Sequence, residues 1–148
     1  MNLKSLVTPL DRQVEFGEPA GPFRPMVLDV GGEGRHPHAW NLNLSHVKTV
    51  GPGKGQAIGR LILGRAEAIP VADESVDLVI VERTPLTREA LREIARVVSR
   101  GGRIVLRHVP LPRRDRHALA ASVLGRPPER CLAYIAEQLV QETTFLIE

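Results

Sequence analysis

The sequence of 148 residues contains a single cysteine, Cys131. No internal disulfide can form, which fits a reducing compartment. Aromatic residues make up only 3% of the chain, with one Trp and one Tyr. A core must therefore be built from Val, Leu, Ile and Ala, and the 43% hydrophobic content is enough for one. No apolar run approaches the ~18 residues of a membrane-spanning helix. The opening stretch "MNLKSLVTPLDRQVEFGEP" has no apolar centre of the signal-peptide kind. Repeats and low-complexity tracts are also missing. The expectation is a soluble cytoplasmic protein; a domain cut from a larger exported protein would read the same way. The length suits one domain over 1–148, with 1–25 as an extended lead-in because Pro9, Pro19, Pro22 and Pro25 disfavour helix there.

Charge is more informative in its distribution than in its sum. The net charge is +3, from 20 basic and 17 acidic residues. Arg100, Arg103, Arg107, Arg113, Arg114 and Arg116 lie close together in the chain, opposed only by Asp115. This tract reads either as an ordinary charged face or as a surface for an anionic partner such as nucleic acid. No aromatic residue interleaves with these arginines, so stacking on single-stranded bases has no local support.

Periodicity gives the elements. "MVLDV" (26–30) is apolar on both faces and reads as a buried strand. Further strands are expected at 40–44, 60–64, 75–82, 103–109 and 143–148. A helix is expected over 88–99, capped by Thr87, with Leu91, Ile94, Ala95 and Val98 inward and Gly101-Gly102 at its end. Two further helices are expected near 115–124 and over 129–141, the second burying Cys131. Strands alternating with helices or long loops imply an α/β, Rossmann-like three-layer sandwich with a mostly parallel sheet. Its ligands would bind at the carboxyl ends of the strands, where the strand order reverses. One connection is anomalous. Between Gly34 and Ala39 stand only Arg35, His36, Pro37 and His38, where a parallel crossover ordinarily carries a helix of ~10 residues. The first crossover helix is therefore shortened or missing, and the 40–44 strand is expected at a frayed position. The last segment, "TTFLIE", if unpaired at a sheet margin, would offer an edge to a second copy.

The stretch "GRAEAIPVADESVDLVIVERTPLTREALREIARVVSRGGRIVLRH" (64–108) carries Ala66, Glu67, Ile69, Pro70, Asp73, Ser75, Asp77 and Val79, then Glu93, Ile94, Arg96 and Val97, then Gly101, Gly102 and Ile104. With "VLDVGGEG" ahead of it, this order and spacing resembles class I S-adenosylmethionine-dependent methyltransferases, in particular the ubiquinone-biosynthesis-type branch. The resemblance implies a structural role for Asp77, Arg96 and the Gly pair, with Asp77 holding a neighbouring backbone and Arg96 tying helix to loop. It also implies S-adenosylmethionine as cofactor. Gly31, Gly32 and Gly34 after Asp29 would cradle it, Asn43 would stand where an acid meets the ribose, and Arg65, Ala66 and Glu67 would stand at the adenine side. Glu33 is a second candidate for the ribose hydroxyls.

Glu82 follows the 75–82 strand, where acceptor-directed groups of this fold often stand. It reads as a base or acceptor-binding group, or as a loop acid paired with Arg83 or Arg107. His36 and His38 make an "HPH" pair without a third ligand at a recognisable spacing, which favours a loop role over a metal. His108 and His117 read as acid–base candidates or as hydrogen-bonded histidines. Trp40 would stack on an adenine or cover core left bare by the missing helix. Two functions remain in view. One is a compact methyltransferase with an unspecified acceptor. The other is a non-methylating binding or effector module, of the kind found at the ends of bacterial toxins, contacting RNA or another anionic ligand.

Overall fold

The computed structural model describes residues 7–9, 25–82, 84–135 and 137–148, so most of the expected lead-in and Arg83 lie outside the described residues. Its elements are strands β1 (Val7–Pro9), β2 (Val27–Val30), β3 (Trp40–Asn43), β4 (Leu61–Leu63) and β5 (Val76–Glu82), helix α1 (Arg88–Val97), strand β6 (Val98–His108), helix α2 (Ala118–Leu124), and strands β7 (Glu129–Ile135) and β8 (Gln138–Leu146). All eight strands join one sheet in the order β1-β7-β8-β6-β5-β2-β3-β4. Every pairing is parallel except those of β8, which runs antiparallel to both β6 and β7. From β2 the chain builds outward through β3 to β4. It then returns to set β5 on the opposite flank of β2, so the strand order reverses between β2 and β5.

Alternation along the strands divides the core. One face carries Leu28, Val30, Leu42, Val79, Val81, Ile104, Leu106 and Phe145, and packs against Ala90, Leu91, Ile94 and Val97 of α1 and Ala120 of α2. The other face carries the smaller cluster of Val27, Ala39, Leu78, Ile80 and Val105, which includes no residue of either helix. Among the described residues, then, the α/β sandwich has helices on one side of its sheet only. A bulge between Val76 and Leu78 sends both of those residues inward, to opposite faces.

The missing crossover is real. Residues 31–39 join β2 to its parallel neighbour β3 without a helix, and residues 44–60 and 64–75 are likewise helix-free. β3 is nevertheless not frayed, since it pairs with β2 on one side and β4 on the other. The expected helix over 129–141 is replaced by the β7–β8 hairpin, so Cys131 sits exposed on a strand rather than buried in a helix. β8 takes up the first four residues of "TTFLIE": Thr143 and Thr144 pair on both sides and Phe145 and Leu146 with β6, so the segment is not an unpaired sheet margin. α1 begins as expected, with the Thr87 side chain accepting from the Ala90 amide at 3.1 Å. It ends at Val97, ahead of the glycine pair, and Ala95 faces solvent while Val97 takes the inward position.

The motif residues expected to be structural act so. Asp77 Oδ2 accepts the Met26 amide at 2.7 Å, fixing the entry to β2. Arg96 donates to the carbonyls of Val71 (3.0 Å) and Ile69 (2.7 Å), and to Asp73 (2.6 Å) and Glu93 (2.6 Å). It thereby staples α1 to the 64–75 loop, which has no helix of its own. Arg96→Met keeps the stem, removes the side-chain donor to the Val71 carbonyl and leaves the Ile69 carbonyl with the Val71 amide alone. It should cost about 1–3 kcal/mol in urea unfolding, and a change within about 0.5 kcal/mol would mean that the loop is held by other contacts.

Candidate functional site

At the reversal between β2 and β5, the tips of the two strands stand side by side, with Val30 opposite Val81. A cavity of about 790 Å³ opens there. Its lining includes Asp29, Gly31, Gly32, Glu33, Gly34 and Arg35 from the first connection, Lys48 to Gly53 from the second, and Glu82, Thr84 and Pro85 after β5. Crevices of this size at such a reversal are the usual ligand sites of open α/β sheets.

The glycine turn is dictated by its neighbours. Gly31 has φ +77°, and a Cβ there would overlap the Thr84 hydroxyl, which itself donates to the Val30 carbonyl at 3.0 Å. A Cβ at Gly32 would fall onto the Asn41 side-chain oxygen and the Asp29 carboxylate, 2.6 Å from the latter. Two asparagines on β3 hold the turn in place of a helix. Asn41 accepts the Gly34 amide (3.0 Å) and donates to the Gly59 carbonyl (2.9 Å). Asn43 donates to the Gly32 carbonyl (3.0 Å) and accepts the Ser45 amide (2.9 Å). Asn41 was not apparent from sequence; its only signal is the polar residue at an inward position of "WNLNL".

Glu82 is buried beneath this turn. Its carboxylate meets His36 Nε2 (2.8 Å), Arg35 Nη1 (2.8 Å) and Arg107 Nη1 (3.0 Å), and Arg107 Nε continues to Glu142 at 2.9 Å. Burial works to raise the Glu82 pKa, but the His36 hydrogen bond and the charges of His36, Arg107 and Arg35 outweigh it and hold the carboxyl at about 2. A carboxylate so weakly basic, with both oxygens engaged, is suited to anchoring the 31–39 loop rather than to taking a proton. Asp29 is the opposite case. It is 3% exposed, lines the cavity and has no hydrogen bond to its carboxylate among the described residues. Burial lifts its pKa to about 7, against the pull of His36 and with the repulsion of Glu82.

The remaining candidates fall elsewhere. Glu33 Oε1 accepts the Thr49 amide (2.7 Å) and its Oε2 the Thr49 hydroxyl (2.6 Å), so it clamps the second connection over the first. Arg65, Ala66 and Glu67 form a turn beyond β4 and do not line the cavity; Glu67 accepts from the Thr87 hydroxyl at 3.4 Å. Trp40 covers no core: it is 37% exposed, with the Arg60 guanidinium 4.7 Å from its ring centre. His38 is exposed while His36 is buried, and no group of three metal-ligating side chains occurs among the described residues.

His108 and His117 form a buried chain leading to the cavity wall. The Thr84 carbonyl can only accept, so His108 Nε2 donates to it (2.8 Å). His108 Nδ1 then accepts from His117 Nε2 (2.8 Å), and His117 Nδ1 accepts from the Thr143 hydroxyl (2.6 Å). This polarity requires both rings to be neutral.

The open, mostly parallel sheet, with a glycine turn and a cavity at its reversal, defines a Rossmann-like ligand-binding fold. The methyltransferase domain family model matches residues 29–106, over half of the chain, and the chain belongs to that family. The same fold is seen in an S-adenosylmethionine-dependent methyltransferase from Aquifex aeolicus (14% identity, 84% of this chain, 82% of that one, TM-score 0.57). It is seen again in the precorrin-6y C5,15-methyltransferase of Geobacter metallireducens (16%, 84%, 81%, 0.57). An arsenic(III) S-adenosylmethionine methyltransferase from Chlamydomonas reinhardtii matches at 21% identity over 88% of this chain and 65% of its own, with TM-score 0.53. Two other bacterial structures are spanned over only 46% and 45% of their length. No curated protein matches the sequence.

The buried histidines carry a pH prediction. Burial and the neighbouring His108 lower the His117 pKa from 6.5 to about 4. The unfolded chain takes up this proton as pH falls through 6.5, the folded chain only near 4. The stability His117 confers is therefore complete above the unfolded pKa and lost as pH falls toward the folded one. The difference in unfolding free energy between the native protein and His117→Gln should shrink by up to about 3 kcal/mol from neutral pH to about pH 4. A pH-independent difference would contradict the neutral chain.

Proposed function

We propose that the cavity between β2 and β5 binds S-adenosylmethionine and that the chain is a methyltransferase for an acceptor still to be assigned. The carrying observation is the backbone cradle of Gly31, Gly32 and Gly34 at the strand reversal, within the segment that defines the family. The residues fit such a group. Gly34 presents no side chain to the cavity, where a Cβ would meet nothing nearer than Lys48 Cε at 3.8 Å. The unpaired Asp29 carboxylate suits a ligand bearing positive charge. When bound, the cofactor supplies an activated methyl group on a sulfonium. The protein's own part is to present main chain at the turn, to exclude water with the 48–53 connection, and to hold or release a proton on the Asp29 carboxylate near neutrality. Glu82 fixes the loop that carries this surface.

A second reading, a non-methylating binding module on the same fold, is favoured by one observation. Asn43 and Glu33, the two ribose candidates, are both engaged in holding loops. Calorimetric titration separates the readings. S-adenosylmethionine and S-adenosylhomocysteine should bind at micromolar Kd. The affinity for S-adenosylmethionine should tighten as the pH rises through about 7, where Asp29 ionises. Gly32→Ala should weaken both by about tenfold or more, through displacement of Asp29 and Asn41. No heat with either ligand would leave the binding module as the reading.

A further inference from the structure

The arginine tract of residues 100–116 is divided by the fold. Arg107 is buried in ion pairs with Glu82 and Glu142, and Arg100 lies at the start of β6, away from the cavity. Arg113 and Arg114 follow β6 and are exposed at the carboxyl edge of the sheet, the edge that holds the cavity. Other connections bring further cations to the same edge: Lys48 and Lys54 after β3, and Arg65 after β4. None of these five makes an ion pair among the described residues. Between residues 34 and 65 the chain contains Arg35, Lys48, Lys54, Arg60 and Arg65 and no Asp or Glu.

An aromatic residue absent from the local sequence is supplied by topology. The β7–β8 hairpin projects past the end of β6, because His108 pairs with Gln141 while Tyr134 pairs with Leu139 further along. Tyr134 is 47% exposed there. Asp115 ties the hairpin to the loop bearing Arg113 and Arg114, through Arg130 (2.7 Å) and Gln141 (3.2 Å). Of the acids at this edge, Asp115 is neutralised by Arg130, Glu82 and Glu142 by Arg107, and Glu33 is occupied by Thr49; Asp29 inside the cavity and Glu67, Glu89 and Glu137 outside it remain.

The dimensions choose the partner. Neighbouring strands lie ~4.8 Å apart, so the cations from β4 to β6 form a track of roughly 19 Å, and Tyr134 on β7 stands roughly 10 Å further along the same edge. A single phosphate is bound by donors converging on one point, whereas this track would place its ends on different groups of an extended polyanion. Unpaired Lys and Arg along a groove edge, with an exposed aromatic at one end, is the arrangement that holds a phosphate backbone and stacks a base. We propose that the carboxyl edge of the sheet binds a nucleic-acid strand, with its backbone on Lys48, Lys54, Arg65, Arg113 and Arg114 and a base on Tyr134. This goes beyond methyl transfer and does not require it.

The test is fluorescence anisotropy with labelled single strands of about 15 nucleotides, one RNA and one DNA of the same mixed sequence. Binding of either probe is expected, with a log–log salt slope of about −3 to −4. Combined Lys54→Gln, Arg113→Gln and Arg114→Gln, all outside the cavity lining, should weaken binding tenfold or more and make the slope shallower by about 2. Tyr134→Ala should weaken it by roughly 5- to 100-fold with the slope unchanged. Combined Arg100→Gln and Arg126→Gln, at the opposite edge, should stay within about twofold. S-adenosylmethionine calorimetry on the Lys54/Arg113/Arg114 variant separates this result from that of the cofactor reading, since its cofactor affinity should be unchanged. The proposal is overturned by absence of binding at about 50 mM salt, by an equal loss in the opposite-edge variant, or by displacement of the RNA by polyglutamate at equal charge concentration.

Discussion

The carboxylate of Glu82 is the point on which the site depends. Three donors from two directions converge on it: Arg35 and His36 from the connection after β2, and Arg107 from the adjacent strand β6. Removing such charges from water is costly, and a buried ion cluster persists only when each charge is met by good geometry. Here the cluster extends through Arg107 to Glu142 on β8, so three successive strands share it with the connection after β2. A helix in this connection would have satisfied its own backbone and packed by an apolar stripe. A loop has neither device, and the ionic anchor stands in for both, with Asn41 and Asn43 satisfying the loop's backbone groups.

The same anchor sets the electrostatics above it. With Glu82 ionised by its cations, the neighbouring Asp29 gains less from His36, Arg35 and Arg107 than burial takes away, and its pKa rises to about 7. Two carboxylates at one strand reversal are thus pushed apart, one permanently charged and one titrating near neutrality. That division follows from which of them the cations touch, and it leaves one fixed and one titrating carboxylate lining the same cavity.

Much of the fold was legible because local and long-range signals agree between residues 64 and 108. β5 holds an unbroken apolar run from Leu78 to Val81, Thr87 caps α1, and Asp77 and Arg96 hold backbone as their positions imply. The end of the chain was not legible. "CLAYIAEQLV" is rich in Ala, Leu, Glu and Gln, all good helix formers, yet pairing with the antiparallel neighbour and with β6 makes it a hairpin. The place of the glycine turn and Asp29 at the strand reversal, where they line the cavity, was readable. The pairing of Glu82 with Arg107 was one of its two sequence readings, but its ties to Arg35 and His36, 46–47 residues away in the chain, were not legible. The pairing of Trp40 with Arg60, and the arrival of Tyr134 at the sheet edge that also carries Arg113, are likewise products of strand order that no spacing in the sequence announces.

Amide hydrogen exchange across residues 31–39, compared between the native protein and Glu82→Gln, tests the anchoring role most directly. Loss of the charge should accelerate exchange at Gly31, Gly32, Gly34 and Ala39 by about tenfold or more relative to the amides of β5 and β6, as the loop opens locally. Unchanged protection of those amides in a folded Glu82→Gln protein would show that the loop is held without the carboxylate, and would contradict the account.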